Sequence, residues 1–140
     1  MTSANVDIPL TITIYHQCYY VGVTAPTIAS LTVMIGDPTQ TVFVPSFDPS
    51  SLCVVDYTLT DSNANPIQVG NPLFSYSQAP LSFSVLQQTD YTKTGTYNLL
   101  LTGQMRYGLY SASASIVVKV ICMTKSLAPN SIDCTSTACV

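Results

Sequence analysis

An all-β fold, an antiparallel sandwich of about seven strands with an extra strand at its N-terminal end, follows from three features of the sequence. Short runs of alternating apolar and polar residues recur along the whole chain. Turn signals built from Gly, Pro, Asp and Asn interrupt them about every ten residues. The third feature is a missing residue type. All seven acids are Asp, Lys and Arg together number four, and no Glu occurs, so residues that cover helix surfaces are scarce.

The composition sets limits on function. A chain of 140 residues, 47% of them hydrophobic, is one domain plus its ends with enough apolar surface for a core. Only 8% are charged, and Ser and Thr make up about a quarter, which suits pleated, uncharged surfaces. The net charge of −3 and four scattered basic residues (Lys93, Arg106, Lys119 and Lys125) exclude a basic stripe for nucleic acid. No apolar run reaches the roughly 18 residues of a membrane helix. Residues 1–10 have neither the basic nor the apolar region of a signal peptide, so a mature or excerpted chain is expected. Five cysteines point to an oxidising compartment and an extracellular or cell-surface protein. No Asn-x-Ser/Thr sequon occurs, so any glycan is expected to be O-linked.

Residues 6–15 (VDIPLTITIY) alternate, with Leu10, Ile12 and Ile14 on one face of a strand and a Pro near its start. Cys18 and a linker-like stretch follow. Residues 28–35 form the next strand, closed by Gly36-Asp37-Pro38. A short strand spans 41–44, a Pro-rich loop follows, and residues 53–60 (CVVDYTLT) make another strand. Residues 67–76, broken by Gly70 and Pro72, suit an edge. Residues 81–86 place Leu81, Phe83 and Val85 on one face. In DYTKTGTYNLLLTG, Asp90 starts a polar corner, and Tyr97, Leu99 and Leu101 then share a face. A connection through Gly103 to Tyr107 leads to the last strand, residues 111–121.

The two ends match. LTITIYHQC, ending on Cys18, is similar to SIVVKVIC, ending on Cys122. Ala25-Pro26 and Ala128-Pro129 follow at comparable distances, an offset of about 103 residues, one sandwich repeat. The chain thus reads as an N-terminal strand and linker (1–27), a complete sandwich (28–122), and a tail resembling the start of a next repeat (123–140).

The corner from Asp90 to Tyr97 resembles the tyrosine corner of immunoglobulin-like sandwiches, with Leu99 where antibody domains carry Cys. With Ile35-Gly36-Asp37-Pro38, Phe47, Cys53, Tyr57-Thr58-Leu59, Gly95-Thr96-Tyr97 and Val118-Lys119-Val120, residues 28–122 resemble the tandem cadherin-like or Ig-like repeats of protist and invertebrate surface proteins. That resemblance implies adhesion or extended filaments and no catalysis. It also implies that Cys18 and Cys53 pair to tie the linker to the domain. Cys122 takes the position of Cys18 in the next repeat; within the chain its candidate partners are Cys134 and Cys139, and one thiol is left for an intermolecular bridge or stays free.

Candidate chemistry is sparse. His16, the single histidine, lies beside Cys18, and a thiol–imidazole pair there lacks a third orienting group. Asp61, Asn63 and Asn65 begin like a calcium loop, but Pro66 replaces the Gly and no Glu closes it, so an Asx-rich turn is expected. No C-x-x-C spacing supports zinc or redox chemistry. Lys119 is expected on the solvent face of the last strand rather than in an isopeptide bond. Tyr15, Tyr19, Tyr20, Tyr107 and Tyr110 could stack on sugars or serve packing. No catalytic residue, cofactor or metal is assigned.

The expected function is that of a structural subunit or repeat of an extracellular filament. Copies of the chain would join head to tail by strand complementation and disulfides, with Leu10, Ile12 and Ile14 as the assembly strand. The alternative is an adhesin-type module for glycan or protein ligands.

Overall fold

The computed structural model describes residues 9–49 and 52–122. Seven strands form: β1 (Leu31–Met34), β2 (Gln40–Phe43), β3 (Val55–Asp61), β4 (Phe74–Gln78), β5 (Leu81–Val85), β6 (Gly95–Met105) and β7 (Ser111–Ile121). A 3₁₀ turn at Tyr91–Lys93 is the only helical element among the described residues.

β3, β5, β6 and β7 exist because their alternate residues have a core to enter. β5 buries Leu81, Phe83 and Val85, and β3 buries Val55, Tyr57 and Leu59. β6 turns Leu99, Leu101 and Met105 inward, opposite Ala114, Ile116, Val118 and Val120 of β7 in the antiparallel hairpin. Removing a fully buried side chain such as Leu59 or Leu101 from water contributes about 1.5–3 kcal/mol.

The strands pair into two sheets, of order β1-β7-β6-β3 and β2-β5-β4. All neighbours are antiparallel except β1 and β7, which run parallel with Leu31 opposite Val118. The chain crosses between sheets after β1, β2, β3 and β5, a Greek-key sandwich with Phe47, Tyr57 and Phe74 among the core residues. Gly36, at φ +95°, makes the turn after β1. There Asp37 accepts the Met34 N–H at 2.9 Å, so the expected Gly-Asp-Pro turn forms.

Strand ends differ from the sequence pattern where pairing decides them. β1 covers only Leu31–Met34, because β7 pairs with those four residues alone; Ile28 packs on the core without joining the ladder. β4 begins at Phe74, since Gly70 sits at φ +87° and Asn71 Oδ1 accepts the N–H groups of Leu73 and Phe74. β6 runs through Gly103 to Met105 instead of turning at Gly103. That glycine pairs with both Tyr57 and Ala112, and a Cβ on it would stand 2.7 Å from Phe47 Cδ1. Glycine is there to admit the Phe47 ring, not to make a turn.

Within one chain the described residues before β1 form no strand. Residues 9–15 pair with no other described residue, and residues 6–8 lie outside the described part. A single strand without a neighbour has no ladder to stabilise it.

Candidate functional site

The corner forms as the sequence pattern implies. Asp90 caps the 3₁₀ turn, its Oδ1 accepting from the N–H of Thr92 at 2.9 Å and its hydroxyl at 2.7 Å. Those bonds, the hydroxyl's first, hold the Asp90 carboxyl below the usual carboxylate range. Tyr97 donates from Oη to the Lys93 carbonyl at 2.8 Å, and its ring meets Phe74 edge-on at 5.3 Å. Tyr97 is half-buried rather than fully enclosed, because it sits where β6 leaves the corner; the partial burial raises its phenol pKa.

Cys18 and Cys53 form a disulfide with Cα atoms 5.9 Å apart, and both are buried. The bridge fastens the N-terminal segment to the loop entering β3, two residues before Val55. A disulfide of this kind belongs in an oxidising compartment. Cys122 is disulfide-bonded as well; the pairing involving Cys134 and Cys139 falls outside the described residues.

The stretch after Cys18 is docked rather than a free linker. Leu109 donates to the Tyr19 carbonyl at 3.1 Å, and the β6–β7 turn fits so closely that a Cβ on Gly108 would lie 2.7 Å from the Cys18 carbonyl oxygen. Thr24 and Asp48 exchange backbone hydrogen bonds at 3.0 and 3.1 Å. Val21, Val23 and Ala25 pack on the core. Their alternation in VGVTA is the sequence signal that the linker reading passed over.

Beyond this anchor stands the arm. Leu10, Ile12 and Ile14 are 81%, 73% and 89% exposed. Setting Cys18 against Cys122 places these three on Ala114, Ile116 and Val118, all buried in β7. In that alignment three exposed side chains of the arm stand against three buried ones of β7. Around its base the tyrosines gather. Tyr15 meets Tyr19 at 4.4 Å and Tyr20 at 5.5 Å, and Tyr107 stacks on His16 at 4.8 Å.

The other candidate groups have local duties. His16 Nδ1 accepts the Cys18 N–H at 3.2 Å in a turn, and the Cys18 sulfur is committed to the disulfide, so no thiol–imidazole pair exists. Asp61 Oδ1 accepts the N–H groups of Asn63 and Asn65 at 2.8 Å, and Oδ2 accepts Asn65 Nδ2 at 2.9 Å. These bonds, the side-chain one foremost, lower its pKa and form the expected Asx turn. Grooves of about 310 and 420 Å³ flank Leu99, and the one carboxylate lining either is this engaged Asp61. Lys119 is exposed on β7. Arg106 grips Asp56 with two hydrogen bonds, Nε to Oδ2 at 2.9 Å and a second from Nη2 to Oδ1, an exposed pair across the β3–β6 ladder. This fork was not anticipated from the sequence; its members are fifty positions apart.

The sheet orders, the first strand parallel to the last and the tyrosine corner together define an immunoglobulin-like and cadherin-like β-sandwich. No family model and no curated protein matches the chain. Among solved structures it is similar to Drosophila N-cadherin EC1-3, with 15% identity and TM-score 0.46 over 67% of this chain and 32% of that one. It is also similar to a chimeric titin Z1Z2 carrying a decorin peptide, with 15% identity and TM-score 0.48 over 72% of this chain and 93% of that one. The chain thus spans about a third of the cadherin fragment. Topology, not these likenesses, defines the class.

Proposed function

We propose that the protein is a structural subunit or repeat of an extracellular, cell-surface filament, in which the N-terminal strand of one copy (residues 6–15, with Leu10, Ile12 and Ile14) adds to the sandwich of another. The observation that carries this reading is the arm: three large apolar side chains exposed on a segment that a buried disulfide fastens to a sandwich with its own seven strands in place. Exposed apolar side chains on an unpaired segment favour association. Burying three of them in a partner is worth roughly 5–8 kcal/mol before ordering costs. Donor and acceptor surfaces differ, so the contact is heterologous and gives open chains rather than a closed dimer.

The test is deletion of residues 1–17 followed by negative-stain imaging and sedimentation. The full chain should form fibres, and the truncated chain should give monomers with an unchanged strand signal in circular dichroism. Fibres from the truncated chain, or monomers from the full one, would refute the reading.

A second reading, an adhesin-type module for glycans, is favoured by the exposed Tyr20, Tyr107 and Tyr110 beside the Tyr15–Tyr19 pair. Aromatic faces of this kind stack on sugars. Glycan-array binding lost in Tyr20→Ala and Tyr107→Ala, by a chain that stays monomeric, would favour it over the filament.

A further inference from the structure

We infer that the strand edge receiving the arm is the outer side of β7 at residues 111–117 of a second copy, a deepening that rests on the filament reading above. β7 has eleven residues, and β6 pairs with ten of them, Ser111 to Val120. On its other side β1 pairs only with Val118 to Ile121. Among the described residues no other backbone hydrogen bond reaches that side of residues 111–117. Among the described residues, seven residues of ladder therefore stand open in line with β1, enough to take Leu10, Ile12 and Ile14 with the residues between them.

The remaining edges suit the arm less well. β3 is as long, but the Tyr57 carbonyl accepts Gln78 Nε2, the Leu59 carbonyl accepts the Ile67 N–H, and Asp61 N–H donates to the Asn65 carbonyl. The open side of β3 is thus largely taken by its own chain. The outer edges of β1 and β2 have four residues each, and β4 has five. Edges that natural proteins protect carry Lys, Pro or inward charges. The open stretch of β7 reads SASASIV, with no charge and no Pro, and Lys119 comes only after β1 has covered the strand.

Donor and acceptor also match in chemistry. In VDIPLTITIY the one charge, Asp7, and the one Pro, Pro9, both precede Leu10, Ile12 and Ile14, so the part that carries the apolar face has neither a charge nor a missing N–H. On the open stretch the core-facing residues are Ala112, Ala114 and Ile116, two of them small, while Ser111, Ser113 and Ser115 face solvent. An added strand would set Leu10, Ile12 and Ile14 beside the two alanines and place Thr11 and Thr13 with the serines.

A photo-crosslinking residue at Ile12 tests this in assembled material made from equal parts of isotopically heavy and light copies. Trypsin cuts after Arg106 and Lys119, so the open edge leaves as the single peptide 107–119, while β2, β3, β4 and the arm remain within residues 1–93. The expected product is a heavy–light pair joining peptide 1–93 to peptide 107–119. Fibres whose cross-links join two copies of 1–93, or reach 94–106, overturn the β7 assignment and leave the filament reading standing. Cross-links to 107–119 within one copy only, with no heavy–light product, overturn the exchange between copies. Absence of both fibres and intermolecular products overturns the filament reading itself.

Discussion

The hydroxyl of Tyr97 donates a 2.8 Å hydrogen bond to the carbonyl oxygen of Lys93, tying the first residues of β6 to the corner before them. A net hydrogen bond in a half-buried setting is worth about 1 kcal/mol. Tyr97→Phe keeps the ring against Phe74 and removes only that bond. Urea unfolding should show a loss near that size with an unchanged slope; a loss below a few tenths of a kcal/mol would remove the corner from the stability argument.

The Cys18–Cys53 bridge closes a loop with a sequence separation of 35. By the chain-entropy model, removing it costs about 3–4 kcal/mol. Cys18→Ser with Cys53→Ser should lower stability by that order and should also free residues 16–24 from the β6–β7 turn. Amide exchange at Leu109, whose N–H is held by the Tyr19 carbonyl, reports the second effect. Unchanged protection at Leu109 would show that packing alone holds the anchor.

Gly103→Ala forces a Cβ into the Phe47 ring, which is fully buried. Overpacking of this kind costs about 1–3 kcal/mol. Adding Phe47→Leu should recover part of the loss, because the two changes share one space; strict additivity in that double-mutant cycle would count against the clash.

Three carboxylates respond to acid. Asp56 is lowered by its hydrogen bond from Arg106, Asp61 by Asn65 and Asp90 by Thr92. A group whose folded-state pKa lies below its unfolded value contributes stability above the unfolded pKa and loses it as pH falls through the folded one. Stability should therefore decline on acidification below the ordinary Asp range and stay level above it, as far as these groups are concerned. Asp61→Asn should make the acid-side slope of stability against pH shallower. An unaltered slope would show that the turn bonds do not couple to folding.

The sequence by itself determined the class of this protein: period-two runs, turn residues at their borders, the absence of Glu and the Asp90–Tyr97 corner are local, and local chemistry is enough to name strands and corners. It located β2, β3, β5 and β7 within a residue or two at most ends, and it marked Leu10, Ile12 and Ile14 as a set sharing one face. Tertiary structure decided what depends on neighbours distant in the chain. Gly103 looks like a turn until Phe47, 56 positions away, is brought against it, and VGVTA looks like a linker until Asp48 and Leu109 hold it. Whether residues 9–15 form a strand cannot be settled by their own pattern, because a strand needs a partner's N–H and C=O groups to exist. In the same way the open side of residues 111–117 in β7 is invisible in SASASIV: an edge is defined by where β1 stops, and only the assembled sheet contains that fact.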